Sequence, residues 1–189
     1  VVDASGSVIV GGYTRSTDFP TTPGAYDTTL GTFGDTVFVS KFSADGSTLT
    51  WSTFLGGSSY NLLRSIAVDS SGNVFLYGNT SSNDFPTTPG AYKTVRSVLV
   101  DTFLTKLNAT GTALLWSTFL GEGDSYVIGS PLAIDSAGNA YVTGSTSYAT
   151  YPTTVGAYDT TFNGARDAFV TKVNADGASL GWSTWLGGS

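Results

Sequence analysis

The nine residues DFPTTPGAY at positions 18–26 return letter for letter at 84–92, and a third version, TYPTTVGAY, occupies 150–158. Each copy lies 66 residues beyond the one before. A fixed period of that length marks a chain built from repeated supersecondary units, none of which buries its apolar face alone. Three further landmarks keep step. VDASGSV, VDSSGNV and IDSAGNA begin at Val2, Val68 and Ile134. VFVSKFSADG, TFLTKLNATG and AFVTKVNADG come after the proline loops, and WSTFLGG, WSTFLGE and WSTWLGG begin at Trp51, Trp116 and Trp182.

Each period reads as four short strands. Runs rich in Val, Phe, Leu, Tyr, Trp and Thr are separated by Gly, Asn, Asp and Pro. No window sustains a 3.6-residue apolar period, so helices are not expected. The expected fold is all-β: tandem four-stranded antiparallel blades, β-propeller-like, in three repeats of about 66 residues. The repeats divide as 1–57, with its first strand truncated, 58–121 and 122–189. The third strand of a period is apolar on both faces. Phe103 and Leu107 alternate with Leu104, and Val37 and Val39 with Phe38 and Phe42. Such a strand needs neighbours on both sides of its sheet. Tight turns such as DSSGN and NADGA are expected at one end of the sheets. The proline loops and the links between repeats are expected at the other, which is where a ligand would be sought.

The text IAVDSSGNVFLYGNTSSNDFPTTPGAY, followed by DTFLTKLNATGTALLWSTFLG, resembles the SBBP repeat, a β-propeller-type repeat of secreted bacterial and archaeal proteins. The resemblance spans essentially the whole chain. It implies propeller-like blades and an extracellular or cell-surface location, and it transfers no catalytic residue. The sequence departs from the family in two ways. It holds three repeats where the family's name implies seven blades, and SYN at 59–61 replaces the usual acidic pair after LGGS. Propellers typically close with about 4–8 blades. The text opens inside a first strand and stops at LGGS, so we expect a segment of a longer array, or a subunit that continues into a neighbour.

Composition narrows the functions. Hydrophobic residues make up 40% and aromatics 13%, enough to order a chain only 12% charged. Eight Lys and Arg against a net charge of −6 supply no basic stripe, which argues against nucleic acid and anionic membrane surfaces as partners. No apolar run approaches the ~20 residues of a membrane helix. With no Cys and no His, thiolate nucleophiles and imidazole bases or ligands are excluded. The lack of Met as well suits a processed extracellular product.

An active site breaks repeat symmetry, whereas most carboxylates here obey it. Asp3, Asp69 and Asp135 share one position, Asp35, Asp101 and Asp167 a second, and Asp45 and Asp176 a third. Turn chemistry explains them, since Asp side chains bond nearby backbone amides. No dense Asp spacing of a calcium loop occurs. Glu122 and Asp124 stand outside the pattern, and we read them as a solvated link rather than a glycosidase pair. The expectation is therefore no catalytic residue, no metal, no cofactor and no enzymatic activity.

Lys41, Lys106 and Lys172 share a position where a Lys lies over apolar neighbours, in reach of a repeated Asp. Trp51, Trp116 and Trp182, taken with Leu49, Leu114 and Leu180 on the same side, suit packing between blades. Tyr26, Tyr92 and Tyr158, in the long loops, are the candidate ligand contacts if cell-surface glycans are bound. The proline loop reads as a stiff bracket with an aromatic before its first Pro and a Tyr at its far end. Val155 replaces the second Pro, so the third bracket is expected to be the most mobile. Asn79 and Asn108 head N-glycosylation sequons, short matches that arise by chance. The function expected is an extracellular structural or adhesive repeat protein, with further copies of itself or further repeats as partners. A glycan-binding propeller is the alternative.

Overall fold

The computed structural model describes residues 1–96, 99–122 and 132–188. Every regular element among them is a β-strand. The first sheet holds β1 (Val8–Thr14), β2 (Thr36–Phe42) and β3 (Leu49–Leu55). The second holds β4 (Asn61–Val68), β5 (Val74–Thr80), β6 (Asp101–Leu107) and β7 (Leu114–Glu122). The third holds β8 (Leu132–Ile134), β9 (Ala140–Thr146), β10 (Asp167–Val173) and β11 (Leu180–Leu186). Strands run up and down in chain order and pair antiparallel throughout.

Both faces of the second sheet are buried, as the two-faced pattern of β6 requires. Phe103 and Leu107 join Val74, Leu76 and Phe119 against Ile9, Val37, Val39, Trp51 and Leu55 of the first sheet. Leu104 points the other way, with Phe75, Tyr77 and Trp116, into Val142, Phe169, Val173 and Trp185 of the third. The sheets are therefore stacked face to face, with one apolar layer per gap.

One three-residue device recurs in every sheet. Gly12, Gly78 and Gly144 sit directly across from Phe38, Phe103 and Phe169. A Cβ on any of the three glycines would lie within 2.9 Å of the facing ring. The missing side chain lets the Phe lie flat over the neighbouring strand, where the aromatic preceding the loop Pro stacks on it. Ring centroids are 4.4 Å apart for Phe19–Phe38, 4.5 Å for Phe85–Phe103 and 3.8 Å for Tyr151–Phe169. That stack anchors one end of the bracket.

The rest of the bracket covers a sheet edge. Thr22, Thr88 and Thr154 donate their amides to Ser52, Ser117 and Ser183 on the outermost strands, and their hydroxyls accept the amides of those serines. Further along, Phe54, Phe119 and Trp185 donate to the carbonyls of Asp27, Lys93 and Asp159. The loops thus occupy hydrogen-bonding positions that would otherwise make β3, β7 and β11 open edges.

Two details differ from the sequence reading. Trp and Leu do not share a side. The register shifts by one residue at Thr50, Leu115 and Gly181, a β-bulge that leaves Leu114 with the first–second layer and Trp116 with the second–third. Nor is Asp35 the counterpart of Asp101 and Asp167. Pairing places Thr36 there, opposite Thr14, as Asp101 faces Thr80 and Asp167 faces Thr146.

Candidate functional site

Most of the carboxylates among the described residues hold turns or ion pairs. Asp3 Oδ1 accepts the amides of Ser5 and Ser7, and Asp135 Oδ1 those of Ala137 and Asn139. Lys41 Nζ lies 2.7 Å from Asp3, and Lys106 Nζ 3.0 Å from Asp69 while also covering the Phe75 ring. Lys172 covers the Tyr141 ring instead, and Asp135 takes the Tyr141 hydroxyl. The Lys41 ammonium pulls the Asp3 carboxyl far below the usual carboxylate range. Hydroxyl donation from Ser43 lowers Asp45 to about 2, and the Asn139 side chain lowers Asp135 to about 2. A depressed pKa makes each a poor proton donor or acceptor near neutrality.

Buried Asp101 pairs with Lys93 at 3.2 Å, and Asp35 with Arg15 at 2.8 Å. Asp167 Oδ2 accepts the amide of Asn163, the task Thr36 Oγ1 performs for Gly31. Glu122 accepts the hydroxyl of Thr150, and Asp124 lies outside the described residues. Among the described residues no group of three or more His, Cys, Asp or Glu converges. Asn79 is buried in β5 and accepts Arg64 Nε, which leaves no room for a glycan, and Asn108 caps its own turn at Thr112 and Ala113.

The arrangement that repeats between sheets is a plug and socket. Trp51 is 5% exposed and donates its indole N–H to Ala109 O, 3.1 Å away, in the β6–β7 turn of the second sheet. Trp116 is also 5% exposed and donates to Ala175 O at 2.9 Å, in the β10–β11 turn of the third. The socket floor is a glycine with φ near +69°, Gly111 or Gly177. A Cβ on Gly111 would lie 2.5 Å from the Trp51 ring, and on Gly177 2.4 Å from Trp116. Only glycine admits both the backbone and the ring.

The loop tyrosines belong to the same joint. The amide of Tyr26 donates to Gly111 O at 2.8 Å and that of Tyr92 to Gly177 O at 2.9 Å. Both side chains are half-buried, against the first–second and second–third layers respectively. The loops follow the outer edge strands to the tight turn of the next sheet, so these two tyrosines do not stand free at the long-loop end. Tyr158 does stand free, at 86% exposed, and Trp182 is 39% exposed.

The model of the beta-propeller repeat family SBBP matches residues 50–86 and 115–148. Over those two stretches the chain is similar to SBBP repeats. Each matched stretch starts beside a plug tryptophan, runs through the next inter-sheet link and takes in the first two strands of the following sheet. The match therefore includes both plug tryptophans, while the sockets at Gly111 and Gly177 lie outside it. No curated protein matches the chain.

Proposed function

We propose that this chain is an extracellular, non-enzymatic structural or adhesive SBBP-repeat protein, whose work is done by stacking blades into an array. Its three repeats of about 66 residues are successive blades, and its partners are further copies of itself or further repeats. The observation that carries this reading is the joint used twice, Trp51 in the Gly111 socket and Trp116 in the Gly177 socket. The carboxylates add support, since Asp3, Asp69 and Asp135 hold their own turns and Asp35 and Asp101 pair with Arg15 and Lys93. Electron microscopy of the particle isolated from its native source is the test. Discs or threads with a regular blade spacing are expected. A particle in which these blades only flank a separate catalytic body would overturn the reading.

The glycan-binding alternative has one observation in its favour, the exposed aromatics Tyr158 and Trp182 of the third repeat. Aromatic faces beside polar groups suit sugar rings. A glycan array separates the two. Binding by the native chain that is lost in Tyr158→Ala favours the lectin, and no binding at high concentration favours the structural protein.

A further inference from the structure

The foot of each proline bracket meets its sheet at one equivalent place, and the three repeats fill that place differently. Asp27, Lys93 and Asp159 are equivalent there, since their carbonyls accept the amides of Phe54, Phe119 and Trp185. Their neighbours at the start of β2, β6 and β10 are Thr36, Asp101 and Asp167. In the second sheet the place holds an ion pair, with the Lys93 ammonium within 3.3 Å of both Asp101 oxygens. In the first sheet Thr36 is neutral, and a cleft of about 200 Å³ is lined by Asp27, Gly31, Thr36 and Gly57. In the third sheet both residues are carboxylates.

Asp167 is the anomaly. It is 1% exposed, and its Oδ1 is buried without a hydrogen-bond partner. Its Oδ2 accepts the amide of Asn163, whose side-chain amide donates to Asp159 Oδ2 at 3.0 Å. One asparagine thus touches both carboxylates and holds them close together. Two glycines leave space beside the orphaned oxygen. A Cβ on Gly164 would lie 3.3 Å from Asp167 Oδ1 and 2.8 Å from the Gly188 carbonyl oxygen, so both oxygens border the space that the missing side chain leaves. A Cβ on Gly187 would lie 2.1 Å from the same Oδ1. Buried charges are paired or bind metals, because an unpaired one is costly. Lys93 supplies the cation in the second sheet, whereas Asp159 in its place brings a second negative charge.

We propose that a hard divalent cation of the calcium type binds between Asp159 and Asp167, where the second sheet has the Lys93 ammonium. Calcium takes about 6–8 oxygen ligands, and carboxylates, loop carbonyls such as that of Gly188, and water are the usual donors. With neither Cys nor His in the chain, a metal that prefers thiolate or imidazole has no donor here. The donors come from the bracket, the start of β10 and the segment after β11, an irregular set that suits calcium better than the strict octahedron of magnesium. The ion fastens the foot of the third bracket to its sheet. This goes beyond the stacking function proposed above and does not rest on it.

Calcium titration of the 189-residue chain, followed by calorimetry and thermal unfolding, tests the site. One ion per chain is expected, with a Kd between about 10⁻⁵ and about 10⁻³ M. At about 100 times Kd the thermal midpoint is expected to rise by about 5–10 °C. Asp167→Asn is expected to weaken binding by at least about 10-fold. Asp159→Lys rebuilds the pair of the second sheet, so it is expected to lose the calcium response and, in chelator, to melt above the native chain. Asp27→Asn, in the first sheet, is expected to bind calcium as the native chain does. Near-UV circular dichroism verifies that each variant is folded. Asp159→Asn stands in for Asp159→Lys if that variant misfolds, and loss of the response is again expected.

No binding at about 10 mM calcium, ten times the weakest Kd expected, overturns the proposal. An equal rise in sodium chloride of the same ionic strength overturns it as well, because screening alone would then relieve the two carboxylates. So does calcium held as tightly by Asp167→Asn as by the native chain, or lost in Asp27→Asn. An Asp159→Lys chain that melts in chelator where the native chain does would show that Asp167 needs no cation, and ends the proposal too.

Discussion

The indole N–H of Trp116 and the carbonyl oxygen of Ala175 lie 2.9 Å apart across the gap between the second and third sheets. Fifty-nine residues of chain separate them, so the bond closes a long loop and ties two sheets that share no strand. Trp116→Ala removes this bond and opens a cavity in the apolar layer. The expected cost is about 3–5 kcal/mol, the range for a buried aromatic truncated to Ala. Trp182→Ala is expected to cost less than half as much, because its ring is already partly in water. Urea unfolding of the two variants gives the comparison.

Gly111 and Gly46 separate backbone strain from steric blockage. Both have left-handed φ, so an Ala at either costs on the order of 1–2 kcal/mol for backbone alone. At Gly111 the new methyl also meets the Trp51 ring, whereas at Gly46 it meets nothing. Gly111→Ala is therefore expected to be more destabilising than Gly46→Ala by about 1–3 kcal/mol, the usual price of overpacking. Equal losses of stability in chemical denaturation would mean that Trp51 moves aside without cost.

The hydroxyl chain beneath the proline bracket has a direction. Ser117 Oγ lies 2.7 Å from Pro86 O, and a carbonyl only accepts, so Ser117 donates there. Thr105, 2.7 Å away, then donates to Ser117. Thr171, Ser183 and Pro152 repeat the chain in the third sheet. Ser117→Ala leaves the Pro86 carbonyl and the buried Thr105 hydroxyl without this partner, at an expected cost of about 1–3 kcal/mol. Thr105→Val removes a donor but keeps the Ser117–Pro86 bond, and about 1 kcal/mol or less is expected. Thermal unfolding of the pair tests the direction, since the opposite donor order would reverse the ranking.

Much of this fold is legible in the sequence because identical text at one period leaves few alternatives. The two-faced pattern of Phe103, Leu104 and Leu107 requires sheets on both sides, and that is where sheets lie. What the text hides is shift by a single residue. A bulge at Thr50, Leu115 or Gly181 has no composition of its own, yet it reverses which layer Leu114 enters relative to Trp116. Asp35 matches Asp101 in the aligned text, but one residue fewer in the following run puts Thr36 in its structural place. The joint was hidden for another reason. Its halves, a Trp and an Ala-x-Gly turn, are ordinary within one repeat and acquire meaning only across about one period of chain.

Amide exchange distinguishes paired from unpaired brackets. Tyr26 and Tyr92 donate to the next sheet, and their amides are expected to exchange slowly. Tyr158, with no acceptor among the described residues, is expected to exchange faster. The bracket at Val155 keeps the same turn as the others, Ala157 to Thr154 at 3.1 Å, so faster exchange confined to Ala157 would isolate the effect of the missing second Pro. Equal protection of Tyr158 and Tyr92 would show that the third bracket needs no following sheet.

Acid is the remaining lever, and its sign follows from the turn carboxylates. Asp45 and Asp135 have folded pKa values of about 2, held down first by the Ser43 hydroxyl and the Asn139 side chain respectively. Unfolded, each reverts to about 3.9. The folded form therefore binds protons less readily, so the stabilisation is complete above the unfolded value and is lost as pH falls from about 4 towards 2. Asp3, lowered further by Lys41, yields last. With no His or Cys in the chain, the thermal midpoint is expected to stay level between about pH 5 and 7 and to decline below pH 4. Asp135→Asn preserves an acceptor for the turn amides but removes the titration, so its midpoint is expected to fall less steeply over the same acid range. A slope identical to that of the native chain would place the acid sensitivity elsewhere, and Asp69, lowered despite partial burial beside Asn73 and Lys106, would be the next carboxylate to replace.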